Sequence, residues 1–158
     1  MIRGLLGVAL GWCLIVGANA QPLADVATDQ ELFAAYCLGA IIASQGDGSL
    51  SEIETLLGRD FAQQTKERYG RKRSRFLGYL TARGLLSGSR SISAMTGARL
   101  ATERGRADTP RCSAKIAICV EKYASTRPYV QKNVDDCRDE EDACRTSARC
   151  YDDDRLPF

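Results

Sequence analysis

The sequence predicts an all-α domain that ends in a disulfide-stapled antiparallel helical hairpin. Three observations carry this. Apolar residues recur at helical spacings along most of the chain, and strand-like alternation is thin. Breakers punctuate those segments at Gly46-Asp47-Gly48, Ser87-Gly88-Ser89 and Ser125-Thr126-Arg127-Pro128. Four of the six cysteines beyond residue 20, Cys112, Cys119, Cys137 and Cys144, are spaced symmetrically about Pro128.

The first 20 residues read as a secretory signal peptide. Arg3 gives a basic start, Leu5 to Val16 an apolar run, and Ala18-Asn19-Ala20 a small-x-small cleavage signature. The run is shorter than the ~20 residues a spanning helix needs. Trp12 precedes Cys13 where a lipidation motif requires a small residue. Cleavage after Ala20 leaves residues 21–158, the length of a single domain with no transmembrane segment.

Within that domain, residues 28–107 are expected to supply the N-terminal helices. Thr28 and Glu31 form a capping box before the apolar segment Leu32 to Ala43, whose face is Phe33, Cys37 and Ile41. A second start follows at Ser49 or Ser51. Ile53, Leu57 and Phe61 then recur every four residues, as a buried face would. Phe76, Leu77 and Leu80 continue a helical face, extended by Tyr79 and Leu86. Gly58, Gly70 and Gly78 leave both one long helix and two stacked ones open. A short helix over 93–103 and a linker at Gly105 to Asp108 come next.

Residues 108–150 are expected to form the hairpin, with 151–158 an acidic tail. Thr109-Pro110 reads as an N-cap followed by proline in the first turn. Cys112 and Cys119 are seven apart, and so are Cys137 and Cys144, so each pair lies on one helix face. Both the outer and the inner pair have position 128 as midpoint. Folding at Pro128 therefore sets Cys112 beside Cys144 and Cys119 beside Cys137. Ile116 and Tyr123 complete one stripe. Val130, Val134, Glu141 and Ala148 complete the other, with Glu141 its only misfit. Cys37 and Cys150 pair by elimination, the alternatives being a free thiol on each or an intermolecular bridge. The twin spacing resembles, in geometry alone, helical hairpins stapled by twin cysteine motifs, and no function follows from it.

Several function classes are disfavoured. The chain has no His, which removes Ser–His and Cys–His nucleophiles and His-ligated metals. Wide cysteine gaps argue against zinc, and the absence of Cys-x-x-Cys against thiol redox chemistry. Asp135, Asp139 and Asp142 would line one helix face, with Asp152-Asp153-Asp154 in the tail, but the ordered Asp-rich loop that binds calcium is missing. No metal or cofactor is expected. Phosphate-binding glycine loops and nucleophile elbows are absent. A small carboxylate-dependent hydrolase using two of Glu52, Glu54, Glu103, Glu121 and Glu141 is the weakest reading.

Charge is unevenly spread. Residues 21–58 carry −6, residues 59–115 carry +10, and residues 116–158 carry −3. The densest basic stretch holds Lys66, Arg68, Arg71, Lys72, Arg73 and Arg75, with Arg68, Lys72 and Arg75 on one helical face. The expectation is a periplasmic or secreted, non-enzymatic protein with a binding or structural role in the cell envelope. Its partner would be an unidentified protein or an anionic envelope component, nucleic acid being a poor candidate outside the cell. The strip reads first as a solvated helix face, the alternative being an electrostatic binder of anionic surfaces or an acidic partner through residues 66–75.

Overall fold

A computed structural model describes residues 25–46, 49–124, 131–139 and 141–152. The expected signal peptide, the expected turn at Pro128 and Asp153-Asp154 of the expected acidic tail lie outside the described residues. The elements are α1 (Asp29–Ser44), α2 (Ser49–Leu57), α3 (Arg59–Ala82), α4 (Ile92–Ala124), α5 (Gln131–Asp139) and α6 (Asp142–Arg149), with no strand among the described residues. All three expected bridges are present: Cys37–Cys150, Cys112–Cys144 and Cys119–Cys137. Disulfides of this kind form and persist in an oxidising compartment. Among the described residues, no helix is long and apolar enough to cross a membrane.

The central element is α1. Its sequence is apolar nearly all round, and Ala34 through Ile41 are all buried. The capping box forms as expected: Glu31 N–H donates to Thr28 Oγ1 and Thr28 N–H donates to the Glu31 carboxylate. Around α1 pack Phe76 and Leu80 of α3, Leu85, and Ala94 and Ala98 of α4. The contact with α4 is backbone against backbone. A Cβ at Gly39 would lie 2.0 Å from Thr102 O, and one at Gly105 would lie 2.0 Å from Tyr36 O. The two helices run in the same direction, because Gly97 faces Leu32 while Gly105 faces Tyr36 and Ala40. Tyr36 extends the contact by donating its hydroxyl to Asp108 Oδ2 and to Ala143 O. Burial, then the Asp108 carboxylate, push this phenol well above its ordinary pKa, so it stays a donor at any working pH.

A charged lock holds the start of α1. The Arg90 guanidinium donates to both oxygens of Asp25, at 2.8 and 2.9 Å through Nε, and to Glu31 Oε1 at 3.0 Å. Glu31 is buried. Its burial raises the carboxyl pKa, but the Thr28 amide and the Arg90 guanidinium outweigh that and leave it lowered. The hydrogen bonds from Arg90 and the Ser91 amide bring Asp25 down from 3.8 to about 2. Both carboxylates are thus depressed in the folded state. Their contribution is complete above their ordinary pKa values and is lost as pH falls toward 2. Arg90→Ala is expected to lower the melting temperature at pH 7 and to flatten its decline between pH 5 and pH 2. An unchanged acid limb in a pH series of thermal melts would remove the lock from the account.

The structure corrects four local expectations. Ile53, Leu57 and Phe61 do not form one buried face. Gly58, at φ 90°, breaks the helix between α2 and α3, and Leu57 and Phe61 are 61% and 50% exposed. Leu86 does not extend α3, which ends at Ala82; it is exposed in the following turn. Residues 105–108 are no linker, and Thr109-Pro110 starts no helix. Pro110 sits inside the 33-residue α4. Proline costs ~3 kcal/mol there, but Gly105 is clamped to α1 and Cys112 to Cys144, so tertiary contacts carry the helix through. The hairpin's return arm is two helices, not one. Glu141 is extended (φ −128°) between α5 and α6, and its carboxylate pairs with Arg111 at 2.9 Å and with Lys115. The misfit acid marks the break and ties it to α4.

Candidate functional site

The basic stretch lies entirely on α3, but the helix divides it. Arg68, Arg71, Lys72 and Arg75 wall one cleft of about 210 Å³. They fall together because positions three, four and seven apart share a helix flank. Lys66 and Arg73 are seven apart on a different flank and stand exposed outside the cleft. The expected solvated face therefore needs correcting at Lys72. This lysine is 4% exposed, while Arg68, Arg71 and Arg75 are exposed around it. The cleft is thus walled by one buried lysine and three exposed arginines, side chains able to hold an anion by charge-assisted hydrogen bonds.

The chain's C-terminal end braces this part of α3. Cys150 is bridged to Cys37 of α1. Tyr151 then follows, with its hydroxyl on Ser44 Oγ and Ala40 O. The Tyr151 ring lies 5.6 Å from that of Tyr69, and Arg68 Nη2 donates to Tyr151 O at 3.4 Å. Burial raises the pKa of both phenols. Tyr69 and Tyr151 also line a second, larger groove of about 810 Å³ that runs past Ile116 of α4 to Arg138 of α5 and Arg145 of α6. Sequence reasoning missed this groove. Tyr69 sits inside the basic run and Tyr151 directly follows the last cysteine, but only the Cys37–Cys150 bridge brings them together.

The remaining candidates are scattered. Asp135, Asp139 and Asp142 do not form one face, because the break at residue 141 separates α5 from α6. Asp135 pairs with Arg138 and Asp142 with Arg145. Of the glutamates weighed for hydrolysis, Glu54 pairs with Arg59, Glu103 with Arg99 and Glu141 with Arg111. Among the described residues, Glu54, Glu103, Glu121 and Glu141 line neither cavity. Glu121 is exposed on α4, and the side chain of Glu52 lies outside the described residues. Among the described residues, the carboxyls of Asp25 and Glu31 are displaced downward, opposite to what a general acid needs. The six bridged cysteines serve as staples, with Cys37, Cys112, Cys137, Cys144 and Cys150 buried and Cys119 half-buried. No protein-family model, curated protein or solved structure matches the chain, so a functional reading rests on its own residues.

Proposed function

We propose that this is a periplasmic or secreted, non-enzymatic binding protein, and that the α3 cleft holds an anionic ligand or the anionic surface of a partner. The observation that carries the reading is the cleft itself, walled by Arg68, Arg71, Lys72 and Arg75. A merely solvated strip would spread its charges around the helix, whereas four here converge and one is buried. The bridged scaffold supports it, since three disulfides suit a small domain outside the reducing cytosol.

Inorganic polyphosphate tests the reading. The protein is expected to bind it with an affinity that falls steeply as salt rises, because each neutralised phosphate releases a counterion. Arg68→Gln/Arg71→Gln/Arg75→Gln should weaken binding and lower the log–log salt slope by about three. An unchanged slope, measured by calorimetry across a salt series, would return the stretch to a solvated face.

A further inference from the structure

The α2–α3 corner exposes large apolar residues immediately before the cationic flank of α3. Phe61, Gln64, Arg68, Arg71 and Arg75 stand at i, i+3, i+7, i+10 and i+14, a single stripe along α3. At 1.5 Å per residue the stripe is about 21 Å long. All five of its members are exposed. Just before its N-terminal end, across Gly58, Leu56 and Leu57 of α2 are 80% and 61% exposed. Three large apolar side chains within six residues, uncovered and next to a polycationic run, are unusual on a domain that buries Phe76, Ile41 and Leu80 completely.

We infer that this surface docks on an anionic phospholipid bilayer, with Leu56, Leu57 and Phe61 entering the headgroup–acyl boundary and Arg68, Arg71 and Arg75 meeting lipid phosphates. The inference rests on the anion-binding reading of α3 and names its ligand. Charge complementarity selects this occupant: the five positions of the stripe hold three arginines and no acid. Of the acids beside the apolar corner, Glu54 is offset by its pair with Arg59 at 3.2 Å, and Asp60 stands exposed at the start of α3. An acidic polypeptide would satisfy the guanidinium groups but gives no reason for bare leucines at the end of the stripe. A bilayer surface satisfies both, and stable interfacial binding generally takes two such signals, one apolar and one polybasic.

Vesicle co-sedimentation with the purified oxidised protein tests it. Binding is expected to vesicles of phosphatidylglycerol mixed with phosphatidylcholine and not to phosphatidylcholine alone. Leu56→Ser/Leu57→Ser/Phe61→Ser removes side chains that are at least half exposed. It should retain the thermal transition and polyphosphate binding while vesicle partitioning drops roughly tenfold or more. Arg68→Gln/Arg71→Gln/Arg75→Gln should lower partitioning about a hundredfold, from about fivefold per cation, and weaken polyphosphate binding as well. Lys66→Gln/Arg73→Gln, on another flank, should cost far less than two cations of the stripe. Vesicle binding unaffected by the apolar substitutions overturns the inference, as does an equal loss from Lys66→Gln/Arg73→Gln. Salt-sensitive binding to polyphosphate or polyglutamate without binding to anionic vesicles also overturns it, and leaves the anion reading of α3 standing. Failure to bind either polyanion or vesicles brings down both.

Discussion

Gly105→Ala is expected to destabilise the protein by about 3 kcal/mol, the upper part of the range for overpacking a tight contact. The added methyl would lie 2.0 Å from Tyr36 O and 3.1 Å from Ala40 N, so it meets backbone and not a side chain that can rotate away. Relief requires α1 and α4 to separate. That would disturb the Tyr36–Asp108 hydrogen bond and the packing of Ala94 and Ala98 on α1. Gly39→Ala meets Thr102 O at 2.0 Å and should behave alike. Gly78 provides the contrast. It is exposed in α3 with nothing within 4 Å of its missing Cβ. Gly78→Ala should therefore stabilise by about 0.5–1 kcal/mol through helix propensity alone. Urea denaturation of the three variants checks opposite signs for one chemical change. If Gly105→Ala raised the midpoint, the backbone contact between α1 and α4 would be refuted.

What could be read from the sequence follows from the range of the physics involved. The cap at Thr28, the stop after Ser44 and the apolar character of α1 are local, and local signals sufficed. The nested bridges were readable although they are long-range, because two equal helical spacings about one midpoint leave a single antiparallel register. The rest required tertiary information. Pro110 reads as a helix start, yet α4 passes through it because Gly105 and Cys112 are held on either side. Leu57 and Phe61 have core spacing, but the positive φ at Gly58 puts them on different helices. Glu141 was visible as a misfit, and only the positions of Arg111 and Lys115 explain it. In the basic stretch, sequence gave the charges and the helical phase without depth. Which flank is walled into a cleft, and that Lys72 is buried there, depends on how α3 packs against its neighbours.

That division bears on function. The two halves of the proposed surface look unrelated in sequence, one as core and the other as solvated charge. Packing reverses the first by leaving Leu56, Leu57 and Phe61 uncovered. It sharpens the second by gathering four of the six bases around one cleft. The brace at Tyr151 links this surface to the bridged end of the chain, through Arg68 Nη2 on Tyr151 O.

Cys37→Ala/Cys150→Ala is expected to give the largest loss among the three bridges, about 4–5 kcal/mol in the chain-entropy account. The bridge spans 113 residues, against 32 and 18 for Cys112–Cys144 and Cys119–Cys137. Closing the longer loop removes more freedom from the unfolded chain, and the corresponding figures for the hairpin bridges are roughly 4 and roughly 3 kcal/mol. Both sulfurs belong to wholly buried residues packed in the α1 core, so a packing loss adds to the entropic one. The two contributions separate in denaturation. An effect seated in the unfolded state raises the m-value, because an unbridged chain expands and exposes more surface. A packing effect shifts the midpoint at constant m. The expected result is a lower midpoint together with a higher m, with the larger m change for this bridge than for Cys119–Cys137. Equal losses from both bridges at constant m would contradict the loop-length argument and make packing around Cys150 and Tyr151 the reason this end of the chain stays on α1.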